Sequence, residues 1–251
     1  MTLLPPPDHI RDVDRPLHDD VRLLASLLGD VIRRVEGETT FDAVEALRRD
    51  CRARRRGVDG APSFDDLLAR VDTWPLPLAA TVARAFTLFF VLINTAEQVH
   101  RARRRAMYRR LTDDVTQPAS PAWAMERLKE SGHDADTVAA ALRDLDVRPV
   151  LTAHPTESTR RTILSLQARV AEALLRREHD TARREAEDAL ATEVELLWLT
   201  SEVRRDRPRV RDEVSTVMWY LEDRFLDAAG GVGERLAHAY RAAFGRDVGP
   251  V

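Results

Sequence analysis

Apolar residues recur at three- and four-residue steps along most of this chain. Leu17, Val21, Leu24, Leu28, Ile32 and Val35 form one such stripe, and Gly37 follows it as a stop signal. The spacing predicts an amphipathic helix. A second helix is expected from about Thr40, with Phe41, Val44, Leu47 and Cys51 on its inner face, and a third from Ser63. Ser63 and Asp66 have the spacing of a capping box ahead of Leu67, Leu68 and Val71, and Gly57 and Gly60 mark the intervening turn. Residues 77–110 read as one long helix, with Leu78, Val82, Phe86, Phe89, Ile93, Ala96 and Val99 or His100 along its stripe. The prolines of TQPASPA then make a loop, and two shorter helices follow near 121–131 and 135–145.

The helical period breaks at DVRPVLTA. Four of its eight residues are Val or Leu, Pro149 suits a strand start or edge, and the run is too short for a helix. One short strand is therefore predicted near 147–153. Helices resume at about 156–178, 181–206, 208–229 and 231–244, bounded by Asp180, Pro208 and the Gly230-Gly231-Val232-Gly233 cluster. The fold class is a predominantly α-helical fragment with that one strand. A lone strand cannot satisfy its own N–H and C=O groups, so sheet partners are expected from polypeptide beyond Val251 or from another chain. The chain divides into a lead-in at 1–15, rich in proline, a helical region at 16–146, and the strand with its following helices at 147–251.

Composition adds limits. The chain is 44% apolar, enough for a core, and its net charge of −3 conceals 39 basic and 42 acidic residues. That near-balance argues against a nucleic-acid protein with a wholly basic surface. Cys51 is the single cysteine, which excludes an internal disulfide or a cysteine metal cluster, and its place on a helix inner face suggests buried packing in a reducing, cytoplasmic setting. The N-terminus lacks the layout of a secretory signal. The apolar run at 85–94 is half of the ~20 residues a membrane span needs, so it reads as a core helix with no membrane partner.

Three stretches could carry chemistry. In TAHPTESTRR, His154 would stand at the C-terminal end of the strand, where α/β barrels and open sheets place reactive groups. Thr156 can cap the next helix, whose free N–H groups make an anion site, and Arg160 and Arg161 add positive charge one turn further in. Histidine suits proton transfer near neutral pH. A turn histidine with satisfied ring nitrogens has the same spacing. In NTAEQVHRARRRAMYRR, arginines from Arg101 to Arg110 cover most of a helix end, which fits either an acidic partner or a solvated, ion-paired terminus with Glu97 four residues before Arg101. In TSEVRRDRPRVRDE, Glu202, Arg204, Arg205, Arg207, Asp212 and Glu213 flank Pro208, as a phosphate grip or as structural ion pairs. There is no Gly-rich phosphate loop, no HExxH and no Ser-His-Asp ordering. A complete catalytic set is missing.

VLTAHPTESTRR resembles the histidine signature of the phosphoenolpyruvate carboxylase family, in which a strand ends in T-A-H-P-T-[EQ] before paired arginines. LINTAEQVHRARRR is similar to that family's upstream helix with its N-x-A-E-[QE] core, and LLWLTSEVRRDRPRVRDEV to its T-D-E-I-R-R…P…D-E segment. The three stand in family order between Asn94 and Glu213, and the likeness is weak before residue 75. Ser201 replaces the usual aspartate, and RPRVRDE lacks a second proline often found there. The family enzyme is several times longer, and this chain lacks its G-G-D-R-D-G-N-P segment, later arginine loop, metal carboxylates and inhibitor site.

The resemblance implies the N-terminal part of a helix-wrapped α/β (TIM-type) barrel enzyme, a cytoplasmic homotetramer that carboxylates phosphoenolpyruvate with bicarbonate. It implies Mg²⁺ or Mn²⁺ as cofactor, with ligands outside this chain. His154 matches the family's catalytic histidine, while Thr156, Arg160 and Arg161 match positions that orient the loop or supply positive field. On that view PVLTA is the first barrel strand, and the isolated chain is inactive. The competing reading is a stand-alone helical binding or regulatory module whose Arg-rich helix engages an acidic partner. It leaves the lone strand unexplained.

Overall fold

A helix needs its first N–H groups and last carbonyls satisfied as well as an apolar stripe, and the chain supplies both repeatedly. The computed structural model describes residues 11–110, 116–148, 161–201 and 209–249. A 3-10 turn at Asp12–Asp14 leads into α1 (Arg15–Glu36), which ends at Gly37 with φ 89°. Then come α2 (Glu38–Arg55), α3 (Phe64–Asp72) and α4 (Leu76–Arg110), followed by α5 (Pro121–Glu130) and α6 (Ala135–Arg143). The C-terminal part contains α7 (Arg161–Arg176), α8 (Arg183–Leu199), α9 (Val210–Tyr220) and α10 (Leu226–Phe244).

The expected capping box at Ser63 is present. The Ser63 hydroxyl accepts from the Asp66 N–H at 3.1 Å, and the Asp66 carboxylate accepts from the Ser63 N–H at 2.9 Å and from its hydroxyl at 2.7 Å. Those donors hold the Asp66 carboxyl below the usual carboxylate range, the hydroxyl being the largest cause. The stability Asp66 contributes is therefore fully present above its unfolded pKa of about 4 and is lost as pH falls through the lower folded value. Asp66→Asn is expected to lower stability at neutral pH and to reduce the fall below pH 4. Urea midpoints measured from pH 2 to 7 check this, and an unchanged acid limb would contradict it.

The chain forms two compact units that interleave along the sequence: Met1–Ala102 with Thr159–Glu202, and Arg103–Ser158 with Val203–Val251. In the first unit, Leu24, Leu28 and Ile32 of α1 meet Leu88 and Leu92 of α4, Leu166 and Val170 of α7, and Leu190, Val194 and Trp198 of α8. Buried Asp20 on α1 accepts from Arg177 at 3.5 Å, and Arg177 also donates to Glu187 at 2.9 Å. Arg34 joins α1 to Glu195 of α8 at 2.8 Å. The second unit has a smaller core, in which Met125, Val138 and Leu142 pack with Ala239, Tyr240 and Val248. The Tyr240 hydroxyl donates to the Ala135 carbonyl at 2.8 Å.

Several expectations need correction. Cys51 is exposed rather than buried, because α2 buries only Phe41 and its second half is crowded with arginines. The buried seam of α4 runs through Val82, Ala85, Leu88, Leu92, Ala96 and Val99, while Phe86, Phe89 and Ile93 are half-buried at its edge. Small alanines on the seam allow close helix approach, which the large aromatics would prevent. Val35 is exposed, at the solvent end of α1. The glycine cluster does not end a helix: α10 runs through Gly230, Gly231 and Gly233, and a π turn at Leu221–Phe225 joins it to α9. Each interior glycine costs about 1 kcal/mol relative to alanine, which flanking helix formers offset. The helix stops at Gly245 with φ 73°.

There is no strand among the described residues. Val147 and Arg148 have no regular structure, and the rest of the expected strand lies outside the described residues. α8 ends at Leu199, short of the expected 206. α4 is also long and apolar enough by composition to cross a membrane, a property it shares with the core helices of soluble proteins.

Candidate functional site

His154, Thr156 and Arg160 lie outside the described residues, as does the side chain of Arg161, the first residue of α7. The structure therefore defines the frame on which these residues are carried. α7 is fixed firmly: Ile163, Leu166, Val170, Ala173 and Leu174 are all buried in the first unit's core.

The upstream motif lies on α4. Asn94 is exposed, and the buried Thr95 hydroxyl donates to the Val91 carbonyl at 3.0 Å. Ala96 is fully buried, and Glu97 and Arg101 approach to 4.0 Å. His100 is buried, with Nε2 3.4 Å from Asp14 Oδ1, yet neither ring nitrogen has hydrogen-bond geometry. The hydrogen bond from Arg11 is the largest cause holding the Asp14 carboxyl below its ordinary range, with His100 adding to it. Arg103 and Arg105 have partners of their own, and the Nε of Arg104 is buried without one. The Arg-rich helix end is thus partly engaged within the chain, which weakens its reading as an open electrostatic surface.

The third motif begins on α8. Leu197 and Trp198 are buried, and Trp198 Nε1 donates to Glu36 Oε1 at 3.1 Å. The Arg84 guanidinium donates to the Trp198 carbonyl and, at 2.9 Å, to the Thr200 carbonyl. It also stands 5.0 Å from the Trp198 ring. A cation on terminal carbonyls satisfies acceptors that the helix cannot, and it suits the helix dipole. Ser201 is exposed, and Glu202, Arg204, Arg205 and Arg207 lie outside the described residues. Past them, the Arg209 N–H donates to Asp212 at 3.0 Å, so Asp212 serves as a helix-start acceptor.

Sequence reasoning missed Arg84, Glu36 and the Asp20–Arg177 pair. No local signal could have found them, since each acts on a residue over a hundred positions away. Among the described residues no group of three or more His, Cys, Asp and Glu side chains could hold a metal ion. The described residues thus do not fit a divalent metal centre.

The family model described as phosphoenolpyruvate carboxylase matches residues 17–250. Among curated relatives, phosphoenolpyruvate carboxylase of Nocardia farcinica is 36% identical over 92% of this chain and 25% of its own length. That of Rhodothermus marinus is 34% identical over 94% of this chain and 26% of its own. The Burkholderia vietnamiensis protein is 39% identical over 86% and 22%. The chain spans about a quarter of the length of these relatives. A match over nearly the whole chain, joining all three motifs in one frame, makes this protein a member of the phosphoenolpyruvate carboxylase family.

Proposed function

We propose that this chain is an N-terminal portion of a cytoplasmic, homotetrameric carboxylase that converts phosphoenolpyruvate and bicarbonate into oxaloacetate and phosphate. The observation that carries the reading is the family match across residues 17–250, within which TAHPTE stands intact. The strand before His154 would be the first of a helix-wrapped α/β barrel, which places the histidine at the mouth where barrel loops converge on substrate.

Bicarbonate oxygen attacks the phosphoryl group, giving carboxyphosphate and the enolate of pyruvate. His154 takes the proton from carboxyphosphate, whose C–O bond to phosphate then breaks to release CO₂ beside the enolate. The enolate carbon attacks CO₂ and forms oxaloacetate. Arg160 and Arg161 supply positive field for the anionic groups, and Thr156 starts the helix below them. Mg²⁺ or Mn²⁺ would be held by carboxylates outside this chain. His154 is the only member of the set that this chain contributes to bond-making directly, so the site is incomplete without the rest of the enzyme.

Two assays test the reading. The purified 251-residue chain is expected to form no oxaloacetate from phosphoenolpyruvate, bicarbonate and Mg²⁺. A chimera in which it replaces the matching quarter of the Nocardia enzyme is expected to do so. Turnover by the isolated chain would refute the incomplete site. A folded but inactive chimera would count against the carboxylase reading.

A further inference from the structure

Helix α9 carries an apolar face that the described residues leave exposed. Along α9 and into the π turn, Val210, Val214, Val217, Met218 and Leu221 recur at four-, three-, one- and three-residue steps and so fall within about 100° of the helix circumference. All five are exposed, Val210 to 75% and Val214 to 55%. No described residue of α9 is buried, and the second unit's core draws only on the far half of α10. Scattered exposed valines are ordinary, but a continuous stripe on one helix marks a surface made for contact.

We infer that this α9 face is the seat of the downstream carboxylase polypeptide, the part equivalent to the three quarters of its relatives that this chain does not cover. This rests on the carboxylase reading. Three observations select that occupant. The relatives carry about three times as much sequence outside the match as within it, so a large body of polypeptide must pack against the matched region. Among the described residues the second unit's core is smaller than the first unit's, as expected of a layer completed from outside. The flanks of the stripe carry Arg209 and Arg211 together with Glu213 and Glu222, a balanced charge that suits a protein surface and lacks the basic excess that an anionic lipid surface draws. The segment that starts α9 belongs to the third sequence motif, so the same contact would hold that motif against the body of the enzyme.

Thiol labelling reads the cover directly. In a Cys51→Ser background, Val214→Cys is placed on the stripe and Ser215→Cys beside it, and maleimide rates are compared in the isolated chain and in the Nocardia chimera. Val214→Cys is expected to react at least about tenfold more slowly in the chimera, with Ser215→Cys slowed much less. Equal Val214→Cys rates in chain and chimera would overturn the proposal. So would protection in the isolated chain that grows with its concentration, which would assign the face to a second copy.

Should that chimera not fold, the same two labels are read in a chimera in which this chain replaces the matching quarter of the Rhodothermus enzyme, where equal Val214→Cys rates in chain and chimera would likewise overturn the proposal. Oxaloacetate formation by the chimera is scored separately: protection without turnover would fail the carboxylase reading and spare the docking face, and turnover without protection would do the reverse.

Discussion

Replacing His154 with asparagine in the complete carboxylase is expected to lower oxaloacetate formation by about 10²–10⁴-fold, the usual worth of a positioned general base. Asparagine keeps a polar side chain of similar reach but cannot accept the proton from carboxyphosphate near neutral pH. Phosphoenolpyruvate binding is expected to persist, because the arginines that attract the anion are untouched. The measurement is paired: turnover with a coupled oxaloacetate assay, and substrate affinity by protection of the enzyme against thermal unfolding. A fall in kcat at unchanged affinity supports the base. Unchanged turnover would remove His154 from the mechanism, and a joint loss of binding and turnover would make it a binding residue instead.

The second large effect concerns the frame. Trp198→Ala is expected to destabilise the first unit by about 3–5 kcal/mol, as large-to-small aromatic changes in packed cores do. Trp198 is 1% exposed and sits among the largest fully buried side chains of that unit. Its loss removes ring packing from α8 and the Nε1 hydrogen bond to Glu36 of α1. Trp198→Phe separates the two contributions, since it retains most of the ring and gives up the hydrogen bond, worth about 1 kcal/mol. Urea midpoints at constant m value report both changes. A shift below about 1 kcal/mol for the alanine variant would mean that the core is not packed around Trp198.

Helix positions were largely legible along the chain because a helix is a local object. The Ser63–Asp66 box, the Gly37 stop and the turn at Gly57 and Gly60 are written in residues a few positions apart, and the structure has each where the spacing puts it. Where the reading went wrong, non-local packing decided. Cys51 fits the apolar period of α2 as well as Phe41 does, yet only Phe41 finds a partner, with Arg33 3.8 Å above its ring. The glycine cluster has the composition of a boundary, but no positive φ occurs in it and the helix continues.

By itself the sequence determined the helical class, most element boundaries, and the three ordered motifs that led to the family. These depend on periodicity, capping and residue identity, all fixed by neighbours along the chain. Only the tertiary structure decided which side of α4 faces the core, how Arg84 closes the end of α8, and which apolar stripes are left without cover. Each of these depends on groups brought together from distant positions, as when Arg84 reaches carbonyls 114 and 116 residues away. A single helix's pattern records that it has a face to bury, and the fold alone determines against what.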